Sequence, residues 1–184
     1  MTTSHANRGR YAEGKVREHL VVLSDTRSSF CFNRNLDAHA AGGRFPPQAG
    51  DFQAFLSGCW YPQFSSIDWI PGGSTKMWVG SFAGSRNFII EVKEVAHATR
   101  LPYKNYSSDK VSRVKAREWA GTECLVLICH KLPKAKPVWR AVPQAFFYDR
   151  DPAKPSGSWD LSSFPTVDHK VAIDTFLGFL PNTA

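Results

Sequence analysis

The sequence contains no apolar run long enough to span a bilayer, and its first ten residues, Met1 to Arg10, are polar. A membrane-spanning helix needs about 20 mostly apolar residues, and a signal peptide needs an apolar segment behind its basic start. A lipidation motif and a basic amphipathic helix are missing as well. We therefore expect a protein that has no membrane partner and works in the cytoplasm.

Paired cysteines and several common enzyme motifs are also missing. The four cysteines, Cys31, Cys59, Cys124 and Cys129, have no C-x-x-C spacing and lie mainly among apolar residues, as buried free thiols do. The histidines have no partners at metal-ligand spacing. No G-x-S-x-G elbow, P-loop or dinucleotide fingerprint occurs. These absences argue against a cysteine-based zinc site, a serine hydrolase and a nucleotide-binding enzyme.

Charge is the first positive signal. The chain has 23 Lys and Arg against 16 Asp and Glu, which gives a net charge of +7 and an isoelectric point near 9.4. Nucleic acid is the commonest polyanionic partner of a basic soluble domain. An ordinary soluble protein with a basic surface is the alternative interpretation of the same balance.

Hydrophobic periodicity predicts an α/β domain with a mixed sheet. Val16 and Leu20 recur at helical spacing, whereas Phe52 and Ala54 alternate as in a half-buried strand. The continuous apolar run at 123–129 predicts a strand covered on both faces. The predicted elements are helices at 10–23 and 107–120 and strands at 29–34, 51–56, 76–82, 87–95, 123–129 and 138–142.

Two further segments are set apart from this pattern. We assign residues 9–150 to the domain and residues 151–184, which include a possible helix at 167–177, to a C-terminal appendage. The stretch 57–87 is a long insertion that contains three tryptophans and Lys76. Aromatic rings can stack on exposed bases, so this stretch is a candidate DNA-engaging arm. Tryptophans that simply pack in the interior are the alternative.

The segment Phe88-Ile-Ile-Glu-Val-Lys-Glu94 is the strongest candidate for chemistry. On a strand, Glu91 and Lys93 share one face, while Phe88, Ile90 and Val92 enter the other. The acid-x-Lys spacing alone is weak, because Glu13-Gly-Lys15 and Asp168-His-Lys170 show it too. The apolar strand in front of Glu91 and a second acid, Asp51, at the start of an earlier strand distinguish this copy. A cross-strand ion pair is the structural alternative.

Two carboxylates and a lysine are the residue types that metal-dependent phosphodiester hydrolysis requires. Carboxylates hold a hard cation such as Mg²⁺ and leave positions for water and phosphate. The cation lowers the pKa of bound water and neutralises phosphate charge, and a lysine can orient that water or stabilise developing charge. Mn²⁺ suits the same oxygen ligands and is expected to substitute.

In this arrangement the chain resembles the PD-(D/E)XK nucleases, and more specifically the RecU-type Holliday junction resolvases. The resemblance covers roughly Gly9 to Tyr148 and rests on the order of short motifs. In chain order these are Gly9-Arg-Tyr-Ala-Glu13, Asp51, Glu91-Val-Lys93, Leu101-Pro102, Asn105-Tyr106, the helix 107–120 and the apolar strand Cys124 to Cys129.

The resemblance implies a restriction-endonuclease-like fold, a mixed central sheet flanked by helices. It also implies that Asp51 and Glu91 are metal ligands, that Lys93 is the catalytic lysine and that Glu13 is an additional acid near the metal. A solvent-facing helix glutamate is the alternative for Glu13. The chain departs from the pattern in its long insertion, in Gly50-Asp51 where a Pro-Asp pair is usual, and in Asp109-Lys110 where a His-Gln-like pair is expected.

Several basic residues cluster around the predicted helix 107–120. We expect them to contact DNA phosphates, although a solvated helix face has the same composition. These residues are Lys104, Lys110, Arg113, Lys115 and Arg117.

These features together predict a Mg²⁺-dependent DNA endonuclease that acts on branched DNA in recombination, repair or phage DNA processing. Paired cuts in a two-fold symmetric junction imply a homodimer. Another nuclease of the same fold, such as an exonuclease or a restriction-like enzyme, is one alternative. A non-catalytic nucleic-acid-binding domain is the other.

Overall fold

Two largely buried strands form the centre of the sheet. In the computed structural model, which describes residues 10–35, 50–57, 85–149 and 156–179, these are β3 (Arg86–Val95) and β5 (Glu123–His130). They pair in parallel, with Glu91 opposite Val126. Every residue of β5 after Glu123 is buried, as its apolar run predicted for a strand covered on both faces.

Three antiparallel strands complete the main sheet. These are β1 (Phe30–Arg34), β2 (Phe52–Leu56) and β6 (Val138–Pro143), and the strand order is β1-β2-β3-β5-β6. One parallel pair among antiparallel neighbours makes the sheet mixed, so the predicted α/β class with a mixed central sheet and flanking helices is confirmed.

Helices cover both faces of this sheet. Helix α1 (Arg10–Thr26) and helix α3 (His169–Leu177) pack on the face to which Phe88, Ile90 and Val92 point. Helix α2 (Ser108–Trp119) lies in the connection between β3 and β5 and buries Val111 and Val114 on the opposite side. Ser107 caps α2 by accepting a hydrogen bond from the backbone N–H of Lys110.

The described part of the C-terminal segment, residues 156–179, supplies buried side chains to both sides of the sheet. Strand β7 (Ser158–Asp160) pairs with β4 (Arg100–Pro102), and the segment's buried apolar residues include Trp159, Leu161, Phe164, Ala172, Ile173 and Leu177. The division into a domain at 9–150 and a C-terminal appendage at 151–184 stays a prediction.

Other expectations fall partly within the described residues and partly outside them. The predicted strand at 76–82, Cys59 and the tryptophans of the insertion lie outside the described residues. Cys124 and Cys129 are buried free thiols, whereas Cys31 is exposed. No helix among the described residues is long and apolar enough to cross a membrane.

Candidate active site

Gly50, which precedes Asp51, has a backbone conformation that a proline could not adopt. Its φ angle is +73°, a left-handed conformation that proline, locked near −65°, does not adopt. A Cβ atom at this position would also collide with the side chain of Ile89 on β3. The glycine thus lets the backbone approach β3 closely, and the N–H of the next residue, Asp51, donates a hydrogen bond to the Ile90 carbonyl over 3.1 Å.

The Asp51 carboxylate lies against the middle of β3. Its Oδ2 accepts a 2.7 Å hydrogen bond from the backbone N–H of Val92. The carbonyl of Asp51 accepts a 2.9 Å bond from the N–H of Asn35, just after β1. Asp51 is therefore held from both sides at the point where the chain enters β2.

Glu91 and Lys93 lie side by side on β3, as their alternation predicted. The Lys93 ammonium forms an ion pair with Glu91 Oε1. Glu91 is fully buried, whereas the Lys93 side chain is 15% exposed. The neighbouring β3 side chains Phe88, Ile90 and Val92 lie in the core of the opposite face. A charged pair is thus held on one face of a strand whose other face is apolar.

Lys110 joins this group, which the sequence interpretation did not foresee. Its Nζ lies 2.7 Å from Glu91 Oε1 and 3.2 Å from Asp51 Oδ1. The position was assigned to a phosphate-contacting helix surface. Instead, the first turn of α2 lies against the site, so this lysine contacts both predicted metal ligands. The sequence indicated only that Lys110 lies in the first turn of a helix capped by Ser107. That position does not tell which strand the helix faces.

The charges of this cluster act on one another strongly. Burial, followed by repulsion from Asp51, raises the pKa of Glu91, and attraction to Lys93 and Lys110 opposes that rise. Burial by itself would lower the pKa of Lys110, but attraction to Glu91 and Asp51 outweighs it, and the pKa of Lys110 is raised. Lys110 therefore stays protonated at neutral pH and places a full positive charge between the two acids.

Tyr106 forms the wall beside Lys93. The Lys93 ammonium lies 5.6 Å from the centre of the Tyr106 ring, within the range of a cation–π contact. The Tyr106 hydroxyl donates a hydrogen bond to the buried Gln144, and burial raises the pKa of Tyr106 well above its usual range, so the phenol stays neutral. The ring thus restricts Lys93 without adding a negative charge to the site.

The donor set fits a hard divalent cation. Glu91 Oε2 is buried and has no hydrogen-bond partner among the described residues, and the Asp51 carboxylate lies close enough to share a single ammonium with Glu91. Carboxylate oxygens are the ligands that Mg²⁺ prefers, with water and phosphate completing its shell. Within the described ranges, no group of three or more His, Cys, Asp or Glu side chains is placed to hold a metal. Asp51 and Glu91 would therefore act as a two-carboxylate site.

The described partner of Glu13 lies on β1. The Glu13 carboxylate forms a 2.6 Å ion pair with Arg34, the last residue of β1. No described contact joins it to Asp51 or Glu91, and its role as an additional acid near the metal stays a prediction.

The remaining basic residues predicted to contact DNA lie around α2. Lys104 and Arg117 are exposed, and Arg113 is half-buried, with an Nε that has no hydrogen-bond partner among the described residues. The Lys115 ammonium lies 5.0 Å from the ring centre of Trp119. Trp119, five residues after the buried Val114, is 78% exposed because the helix has turned well away from the sheet at that point.

No family model matches the chain, and no curated protein sequence matches it. Among solved structures, the chain is similar to Hjc from Archaeoglobus fulgidus, a Holliday junction resolvase from an archaeal hyperthermophile. The identity is 21%, the TM-score is 0.45, and the match covers 89% of this chain and 98% of that one. At this identity and TM-score the similarity supports no conclusion about activity, which has to rest on the geometry of the site.

Proposed function

We propose that this protein is a Mg²⁺-dependent endodeoxyribonuclease that cuts branched DNA such as a Holliday junction. The observation that carries the proposal is the convergence of Asp51 and Glu91 on one ammonium position, with Lys93 beside Glu91 on the same strand. Carboxylates that share a single cation in a site with one fully buried member are suited to holding a divalent ion.

The three side chains have two tasks in this mechanism. Asp51 and Glu91 would hold a divalent cation, which when bound would supply water activation and neutralisation of phosphate charge. Lys93 orients the attacking water or stabilises the charge that develops on the phosphate. The strand and the Tyr106 ring hold the Lys93 ammonium in place, so little reorganisation is needed when that charge develops.

DNA affinity would come from elsewhere on the surface. The net charge of +7 and the exposed Lys104 and Arg117 beside α2 suit contacts with phosphates. Such contacts are independent of base sequence and weaken as salt increases. Substitutions in the active site should therefore abolish cutting and leave most of the binding intact.

The preference for branched DNA and the homodimer are the finer parts of the proposal. They rest on the order of motifs that the chain shares with the RecU-type resolvases and on the symmetry of the substrate. A four-way junction has two opposed strands to cut, so two active sites related by a two-fold axis are needed. Roles in recombination, repair or phage DNA processing follow from the same substrate.

A non-catalytic nucleic-acid-binding domain is the second candidate. Lys110 favours it, because its ammonium already neutralises the two carboxylates that would bind the metal. A chain that had lost metal binding would retain the basic surface and the fold.

The test is cleavage of labelled DNA with Mg²⁺ or with excess chelator, using a four-way junction, a linear duplex and a single strand of matched length. Asp51→Ala, Glu91→Ala and Lys93→Ala should each abolish cleavage. Lys170→Ala is the matched control, because this exposed lysine belongs to another acid-x-Lys sequence and should cut like the wild type. Full cleavage in chelator would exclude the metal mechanism, and wild-type turnover by any of the three variants would exclude that residue.

Binding measurements separate the resolvase from other nucleases. A resolvase should be dimeric by light scattering and should prefer the junction over the linear duplex at two salt concentrations, because shape recognition survives salt better than phosphate attraction does. A monomer that cuts linear duplex equally well would be an exonuclease or a restriction-like enzyme.

A further inference from the structure

The local electrostatics of α2 disfavour a lysine at position 110. Lys110 is the third residue of α2. The amino end of a helix carries partial positive charge and favours Asp or Glu, so a cation there is unfavourable. The positive charge of the Lys110 ammonium is instead stabilised by ion pairs with Glu91 at 2.7 Å and Asp51 at 3.2 Å. The two carboxylates of the site therefore stabilise the charge of Lys110, and the helix does not.

An ammonium and a divalent cation cannot both hold this position. A magnesium ion would lie about 2.0–2.1 Å from its carboxylate oxygens. Glu91 Oε1 already contacts Lys110 Nζ, which also reaches Asp51 Oδ1. A cation shared by the same two carboxylates would therefore lie next to the ammonium that bridges them, and this repulsion favours loss of one of the two.

Lys110 is the lysine that is free to leave. Lys93 contacts only one of the acids, and its stem starts from the central strand β3 beside Tyr106. Lys110 extends from the helix on a four-carbon stem, and its side chain is 22% exposed. Rotation of that stem moves the ammonium toward solvent without moving the backbone.

We propose that Lys110 is the resident counter-ion of the Asp51–Glu91 pair and that a divalent metal binds by displacing it. This inference rests on the proposed metal site. It implies weak metal binding by the free protein, since each metal ion competes with an internal cation. A DNA phosphate near the site would give the displaced ammonium a new partner, so DNA and metal should strengthen each other's binding.

The test is Mn²⁺ binding to the DNA-free protein, measured by calorimetry and by the electron paramagnetic resonance of free Mn²⁺. Lys110→Met should lower the dissociation constant about tenfold or more, within the 5- to 150-fold range of typical coupling between competing ligands. Lys110→Arg retains the charge and should bind Mn²⁺ no more tightly than the wild type. Lys93→Met removes a neighbouring charge and should have a smaller effect than Lys110→Met, and Lys170→Met should have none.

Thermal unfolding with and without Mn²⁺ shows whether a variant fails to bind the metal because it is misfolded. Lys110→Met leaves two acids without their shared cation, so it should unfold at a lower temperature than the wild type and regain more stability from Mn²⁺. Lys110→Gln, a polar substitute of similar length, should behave in the same way. Equal Mn²⁺-induced shifts in the wild type and in both variants would overturn the proposal.

The outcomes distinguish this inference from the proposed function. If the wild type binds Mn²⁺ and cuts DNA but Lys110→Met binds no tighter, displacement is wrong and the nuclease stands. If the wild type neither binds Mn²⁺ nor cuts while Lys110→Met binds it, the lysine is the counter-ion and the non-catalytic candidate is correct. If no variant binds Mn²⁺, both proposals fail.

Discussion

Replacing Asp51 with asparagine separates its catalytic role from its structural one. The substitution retains the size of the side chain and removes its charge. Asp51 Oδ2 accepts a 2.7 Å hydrogen bond from Val92 N, and Oδ1 lies 3.2 Å from the Lys110 ammonium. Asparagine can accept one of these bonds through its single oxygen, and its NH₂ group then faces a donor.

The expected loss of stability follows from these two contacts. A hydrogen bond to a charged group contributes about 1.5–3 kcal/mol, and a neutral one contributes about 0.5–1.5 kcal/mol. One contact should become a neutral hydrogen bond, at a cost of about 1 kcal/mol, and the other should be lost, at a cost of about 1.5–3 kcal/mol, so the free energy of unfolding should fall by about 3 kcal/mol. For a domain of this size, 1 kcal/mol shifts the melting temperature by about 2–4 °C, so Asp51→Asn should melt about 6–12 °C lower.

Cleavage should fall much further than stability. Losing a partner of a metal ligand costs about 10- to 100-fold in affinity or activity, and loss of a ligand itself should cost at least about 100-fold. Calorimetry and a junction-cleavage assay at 25 °C measure the two effects separately, with the exposed Asp149→Asn as control. A variant that melts lower but cuts within a few-fold of wild type would refute the metal-ligand role and leave the structural role intact.

Four further outcomes are expected. Ca²⁺ should support DNA binding without cleavage and Mn²⁺ should support both, because Ca²⁺ coordinates loosely and positions water poorly; efficient cutting in Ca²⁺ would contradict this. Glu13→Gln should lower cleavage markedly if Glu13 is the predicted additional acid near the metal, whereas near-wild-type cleavage would leave Glu13 only its ion pair with the half-exposed Arg34. Burial raises the pKa of Cys124 to about 12, so iodoacetamide at pH 8 should label the exposed Cys31 much faster than Cys124, as measured by peptide mass spectrometry. Equal labelling rates would show that β5 opens to solvent. Burial lowers the pKa of His130, so as the pH falls through about 6.5 the unfolded chain is protonated at this histidine before the folded protein is. The urea midpoint of unfolding should therefore drop between pH 7.5 and 5.5. If His130→Gln shows a drop of the same size, other groups cause it.

Local patterns were sufficient to predict the main helices and strands among the described residues. The continuous apolar run of β5 predicted a central strand, and Ser107 predicted the start of α2. These features depend on residues close together in the chain, where side-chain spacing limits the possible backbone conformations. The packing of the C-terminal segment could not be predicted, because Pro-, Ser- and Asp-rich sequence says little about which sheet face its few apolar residues cover.

Within the site, the amino-acid sequence alone was enough to pair Glu91 with Lys93, since residues two apart on one strand must share a face. It also placed Asp51 at the start of its own strand. The position of Lys110 was decided by the tertiary structure, because 59 residues separate it from Asp51 and the packing of α2 on the sheet brings them together. Helix periodicity specifies which side chains share a face of a helix, but the packing of the whole domain determines what that face meets.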